Sequence, residues 1–166
     1  PGFDPNNATV PTDETYLKEY EKAENKSDVL SKMWRNPIVS DTYEPGSTFK
    51  LCTSVAGLES GVITPSTTIV DRGIYTYYEF PQPKCWIYNS YGGTHGAVNV
   101  SQAITVSCNY FFYEVGRLMG IKTLDSYATQ FGLGQHTGIE IGDSAGVLAS
   151  PEYAEKIGET WTDGQT

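Results

Sequence analysis

The chain has 166 residues, enough for one domain with a sizeable core, and a formal net charge of -9 from 11 Lys and Arg against 20 Asp and Glu. That balance excludes a phosphate-backbone partner, which needs clustered cations, so no nucleic acid is expected. No apolar stretch reaches the roughly 18 residues of a membrane span, and no signal peptide pattern opens the chain.

In chain order, "TDETYLKEYEKAENKSDVLSKMW" predicts a helix from about Asp13 to Trp34, with Thr12 as its cap and a solvated face of mixed charge. Thr48 to Ser60 carries Phe49, Leu51, Val55, Ala56 and Leu58 and predicts a largely buried helix ended by Gly61. Between Thr64 and Asn99, prolines, glycines and the β-rich run "GIYTYYEF" predict short strands and loops without a long helix. Helical patterning returns in "SQAITVS", "YFFYEVGRLMG" and "LDSYATQFG", each closed near a glycine or a polar break. There is no internal repeat and no low-complexity linker. The chain opens on Pro1, its first methionine is Met33, and it stops at "WTDGQT" without a closing element. It is expected to be a piece of a longer polypeptide, with any membrane anchor or export signal upstream of Pro1.

Two short motifs carry chemistry. In "TYEPGSTFK", Ser47 and Lys50 stand three residues apart behind a Pro-Gly turn, so a helix starting there puts both on one face. A serine hydroxyl is barely ionised at neutral pH, and a lysine takes its proton only if desolvation, a helix N-terminus or a nearby cation lowers the amine pKa. Taken alone, a serine before a helix is more often a cap. In "VSCNYFF", Ser107 and Asn109 stand at the break between two helical patterns, where side chains project from a connection into a cleft. Taken alone, these are turn and cap residues. The combination of the two motifs is what raises the odds.

"YEPGSTFK", "THGAVNVSQAITVSCNYFFYEVGRLMG" and "FGLGQHTGIEI" together resemble the transpeptidase domain of class B penicillin-binding proteins, over nearly the whole chain from "PGFDPN" onward. "MWRNPIVSDTYEPGSTFK" is most similar to Gram-positive members of the cell-division or sporulation type. The resemblance implies an α/β (α+β) β-lactamase/transpeptidase-like serine acyltransferase fold. It also implies that Ser47 is the acylated nucleophile, Lys50 its general base, Ser107 a proton relay to the leaving amine and Asn109 a partner for the substrate amide. The implied reaction takes a D-Ala-D-Ala stem peptide, releases D-Ala and passes the acyl group to an amine of a second stem, with β-lactams trapping the serine. The implied place is the extracytoplasmic face of a bacterial membrane, among other cell-wall synthesis proteins.

The departures shape the expectation. The family's Lys-Thr-Gly motif occurs nowhere in the chain, and the family's first strands precede "PGFDPN". Residues 1-166 are therefore expected to be a partial domain, mainly its helical part, with one oxyanion donor from Ser47 N–H and weak or no activity by itself. The alternatives are a class D-like serine β-lactamase, which shares "STFK" but carries valine where Asn109 stands, and a β-lactam sensor domain. Glu140 and Asp143 in "EIGDS" do not fit the class A deacylation motif.

The remaining candidates get bland roles. His95 in "GGTHG" either lines the cleft or, as a glycine-flanked loop residue, is structural, and His136 has none. Tyr75, Tyr77, Tyr78 and Phe80 suggest a small strand packing alternate faces rather than a sugar-stacking platform. Cys108 reads as a small buried side chain, not a second nucleophile. Cys52, Cys85 and Cys108 leave an odd thiol and contain no Cys-x-x-Cys pair, and "GLGQHT" fails the dinucleotide fingerprint, so no metal and no cofactor are expected.

Overall fold

The computed structural model describes residues 14–34 and 36–162. They form two units, Pro1–Thr42 with Gly138–Ser144, and Tyr43–Thr137 with Ala145–Thr166.

In the first unit, helices α1 (Glu14–Lys22), α2 (Lys26–Trp34) and α3 (Pro37–Ser40) follow one another. The single helix expected from Asp13 to Trp34 is thus two. Asn25 breaks it by offering the backbone another partner, its Oδ1 accepting from Ser27 N–H at 3.1 Å, which starts α2 afresh. Thr12 and "PGFDPN" lie outside the described residues. Asn36 caps α3 through Ile38 N–H, with Pro37 at the first helical position. The 138–144 segment is tied to α3 by Ser144 N–H donating to the Val39 carbonyl at 2.7 Å and Ser144 Oγ to the Ser40 carbonyl at 2.8 Å.

The second unit starts with one 3₁₀ turn, Gly46–Thr48, that runs into α4 (Phe49–Glu59). Strands β1 (Ile69–Asp71) and β2 (Gly96–Val98) pair antiparallel with Ile69 opposite Val98 and Asp71 opposite Gly96. Between them lies α5 (Trp86–Tyr91), and after them come α6 (Val100–Thr105), α7 (Asn109–Met119), α8 (Ile121–Gln130) and α9 (Pro151–Lys156). Helices dominate the described residues, with one small sheet, as the expected helical part of a mixed fold requires.

α7 is the spine of the core. Its Phe111 and Val115 are fully buried, Phe112 nearly so, and they pack with Ile63, Val98, Val100 and Ala103. α4 lies close against it because position 57 is glycine: a Cβ there would come within 2.9 Å of Val115 Cγ1. α4 is less buried than expected. Cys52, Thr53, Ala56 and Gly57 face the core, while Leu51 and Val55, one turn apart on the opposite side, are 58 % and 39 % exposed. Gly61 ends the helix region as expected, at a left-handed φ of 75°.

"GIYTYYEF" forms no strand. Only an isolated bridge joins Ile74 to Lys84, and Tyr75 N–H donates to the Pro83 carbonyl at 2.9 Å. The residues between loop outward, with Tyr77 and Phe80 exposed, and Tyr75 turns inward so that its hydroxyl donates to Glu114 of α7. The Tyr75 contact to α7 and the isolated bridge to Lys84, rather than a full paired strand, hold this segment.

Candidate active site

Pro45 and Gly46 set up the first side of the site. Gly46 takes φ 54°, a left-handed value that a residue with a Cβ adopts only at a cost, and this turn launches the helix with Ser47 in its first turn. Ser47 is exposed, whereas Lys50, one turn on, is half-buried. The N–H groups of a first turn lack intrahelical acceptors, which makes that of Ser47 a fitting donor toward a developing oxyanion.

The second side is the six-residue helix α6 and the tight turn after it. A reciprocal capping box between Asn99 and Gln102 starts α6. At its end Ser107 N–H donates to Ile104 and Cys108 N–H to Ala103, at 3.1 and 2.9 Å. That fold-back puts Ser107 at φ 51°, left-handed in a non-glycine residue, a conformation that costs on the order of 1–3 kcal/mol and persists only when the surroundings hold it. Trp86 of α5 braces the turn by donating Nε1–H to the Val106 carbonyl at 3.0 Å. Asn109 then opens α7.

The two sides meet at Lys50. Its Nζ lies 3.1 Å from Ser47 Oγ, 2.9 Å from Ser107 Oγ, 3.0 Å from the Ser107 carbonyl oxygen and 2.6 Å from Asn109 Oδ1. Ser107 Oγ–H donates to Ser47 Oγ at 3.2 Å. All four residues singled out in the sequence therefore converge, while Cys108 points the other way into the core, fully buried. The Ser107 carbonyl is a contact that sequence reasoning missed, since a backbone group has no signature.

The acceptor types matter chemically. Asn109 Oδ1 and the Ser107 carbonyl can only accept, so they occupy two N–H bonds of the amine. When Lys50 is neutral its remaining lone pair is left to face the hydroxyls of Ser47 and Ser107. Burial lowers the Lys50 pKa from its ordinary value, the thiols of Cys85 and Cys108 opposing that in part. The helix N-terminus works in the same direction as burial. An exposed hydroxyl, a pKa-lowered amine beside it and a second hydroxyl bridging the two can form and break an ester at Ser47.

Behind this site lies a second cluster. Asp71, Cys85, His95 and Cys108 bring one potential ligand atom each within 4.8 Å of one another. His95 Nδ1 is 2.8 Å from Asp71 Oδ2, Cys85 Sγ is 3.4 Å from His95 Nδ1, and the two sulfurs are 3.9 Å apart. Burial by itself would raise the pKa of the Asp71 carboxyl, but Gly73 N–H, His95 N–H and the His95 ring bond to the carboxylate and hold it low. Burial pushes the Cys108 thiol up to about 12, in keeping with a side chain that is not a nucleophile. His95 thus faces this cluster rather than the Ser47 cleft. Spacing could not have announced the group, because β1, the start of α5, the loop before β2 and the start of α7 each supply one member.

A Ser-x-x-Lys helix start facing a Ser-x-Asn turn, on this helix-rich core, places the chain in the class of the β-lactamase/transpeptidase fold. The Penicillin binding protein transpeptidase domain family matches residues 2–161, and the chain belongs to it. It is 33 % identical over 133 residues to the peptidoglycan D,D-transpeptidase MrdA of Acinetobacter baumannii, covering 79 % of this chain and 19 % of that protein. It is 34 % identical over 130 residues to stage V sporulation protein D of Bacillus subtilis, covering 77 % of this chain and 19 % of the relative. Among solved structures, Pseudomonas aeruginosa PBP2 in complex with WCK 5153 superposes with a TM-score of 0.76 at 27 % identity, over 99 % of this chain and 36 % of that one. The chain spans about a fifth of the length of the curated relatives it matches. With Acinetobacter and Bacillus relatives at similar identity, the matches do not single out a Gram-positive subgroup.

Proposed function

We propose that this chain is part of a D,D-transpeptidase that cross-links peptidoglycan stem peptides through an acyl-enzyme on Ser47. The observation that carries the reading is the convergence of Lys50 Nζ on Ser47 Oγ, Ser107 Oγ and Asn109 Oδ1, all within 3.1 Å. Neutral Lys50 takes the Ser47 proton as Oγ attacks the carbonyl of the penultimate D-Ala. Ser107, hydrogen-bonded to both, passes that proton to the leaving D-Ala amine, and Asn109 orients Lys50 and the substrate amide. The acyl group then moves to the amine of a second stem, and Ser47 is restored. A β-lactam, whose strained amide opens in the same attack, leaves the serine blocked.

We further propose that residues 1-166 are a partial domain that works with a Lys-Thr-Gly strand supplied from outside them. That strand brings the second oxyanion donor, and one such donor is worth about 10²- to 10³-fold in rate. The chain alone is then weakly active or inactive. The whole protein works on the extracytoplasmic face of a bacterial membrane, held by an anchor outside this chain and alongside other cell-wall synthesis proteins.

A fluorescent penicillin tests the reading. The complete domain should be labelled at Ser47, with labelling abolished by Ser47→Ala, and the isolated chain should be labelled at least about 100-fold more slowly. Labelling that survives Ser47→Ala refutes the nucleophile, and equal rates for chain and domain refute the partial-domain reading.

A further inference from the structure

Ser107 is the only non-glycine among the described residues with a positive φ, and its hydroxyl is the group that bridges Lys50 and Ser47. What keeps it there is settled one peptide earlier. The plane between Val106 and Ser107 is set by a Val106 ψ of 5° and a Ser107 φ of 51°. A half-turn of that plane would carry Val106 to a ψ of about −175° and Ser107 to a φ of about −130°, both in the extended range open to any residue. The backbone thus has an unstrained alternative, and the native turn persists only where its surroundings hold the plane.

Two hydrogen bonds do so. Ser107 N–H donates to the Ile104 carbonyl at 3.1 Å, and the Val106 carbonyl accepts from Trp86 Nε1–H at 3.0 Å. A half-turn would break both. The first is made inside the turn, whereas the second comes from 20 residues away, at the start of α5. Val106 closes α6, where the last carbonyls have no partner within the helix, so its oxygen is free to take that donor. An indole N–H donates and never accepts, which gives the bond one polarity. Packing alone does not account for the ring's place: Trp86 is 40 % exposed, while Ile87 beside it packs against the core. A large ring left partly in water with its one polar atom turned onto a carbonyl is placed by that bond.

We propose that Trp86 is a positioning residue for acyl transfer: by holding the Val106 carbonyl, its indole N–H keeps the Ser107 turn left-handed and the Ser107 hydroxyl between Lys50 and Ser47. The proposal rests on the transpeptidase reading, because a relay role for Ser107 is what gives the turn a kinetic consequence. Trp86 touches neither Ser47 nor Lys50 and acts through Ser107 alone. Losing the bond lets the plane turn in part of the molecules, and only those with the native turn pass the proton efficiently.

The test measures fluorescent-penicillin acylation of the complete domain over a range of concentrations, so that the maximal rate and the half-saturating concentration separate. Trp86→Phe keeps a ring and removes the donor. Its maximal rate should fall about 3- to 10-fold, the worth of one hydrogen bond, with the half-saturating concentration within about twofold of wild type. Trp86→Leu, which also lacks the donor, should give the same pattern, and melting temperature shows that both variants are folded. The deciding background is Ser107→Ala, where no relay hydroxyl remains to be oriented. There Trp86→Phe should change the rate by less than about twofold, since the two residues act as one unit. A merely structural role would cost the same factor in both backgrounds, and that result overturns the proposal. So does a Trp86→Phe maximal rate within about twofold of wild type, or a loss confined to the half-saturating concentration. Failure of the transpeptidase reading looks different: labelling of the wild-type domain would then survive Ser47→Ala, and this proposal would fall with it.

Discussion

Replacing Asn109 by aspartate changes the charge next to the proposed base while keeping its shape. Asn109 Oδ1 lies 2.6 Å from Lys50 Nζ. At that separation a full negative charge stabilises the ammonium by about 1.6 kcal/mol in a water-like dielectric and by about 6 kcal/mol at an effective dielectric near 20. Lys50 is half-buried, so the result falls between these limits, and one pKa unit corresponds to about 1.4 kcal/mol. The amine pKa should therefore rise by about 1–3 units, the usual span for an opposite charge in contact. The sign is that burial lowers this pKa in the native protein, and Asn109→Asp works against burial. The neutral fraction of Lys50 at pH 7, and with it the acylation rate, should fall about 10- to 1000-fold. The loss should shrink as pH is raised, because both proteins then approach the neutral amine. The assay is the rate of fluorescent-penicillin acylation of the complete domain against pH, for wild type, Asn109→Asp and Asn109→Ala. Asn109→Ala removes the acceptor without adding charge, so its rate should fall with a smaller displacement of the profile. A pH profile for Asn109→Asp with an unmoved midpoint, or a loss equal at every pH, would refute the assignment of Lys50 as the base.

Other expectations rest on single contacts. Ser47→Ala should abolish labelling yet leave urea stability within about 0.5 kcal/mol, since the side chain is exposed and supports no core packing. Gly57→Ala should destabilise by about 1–3 kcal/mol in denaturant titration, because the new Cβ meets Val115 Cγ1 at 2.9 Å and Ile63 Cγ1 at 3.2 Å. Glu114 accepts from Arg117 Nη2 at 2.7 Å and from the Tyr75 hydroxyl, and the Arg117 pairing holds its pKa below the ordinary glutamate value. Its contribution, about 1 kcal/mol, is present above the unfolded pKa and lost as pH falls through the folded one. Melting temperature should drop on acidification through that window in the wild type and drop less in Glu114→Gln.

The local chemistry of the site was legible in the residues themselves. The Pro45-Gly46 turn, the three-residue spacing of Ser47 and Lys50 and the helical patterns on either side of Ser107 all act over a few positions, where backbone dihedrals and helical periodicity decide the outcome. Gly61 was likewise readable, since a left-handed helix end needs no distant partner. Asn25 carried its signal as well, but a local cap competes with helix continuation by so little that pattern alone joined α1 to α2. What the residues could not announce depends on neighbours brought from afar. Alternating tyrosines in "GIYTYYEF" satisfy the period of a strand, yet no long partner strand lies beside them and Tyr75 is held by Glu114 instead. Leu51 and Val55 read as core until the packing of α4 on α7 took the opposite side of the helix. The convergence of Ser107 and Asn109 on Lys50 spans about sixty positions and needs the whole core between them. Asp71, Cys85, His95 and Cys108 show the limit most plainly. Each is ordinary where it stands in the chain, and only the pairing of β1 with β2 and the packing of both against α7 bring four donors to one point, because proximity of that kind belongs to topology and not to spacing.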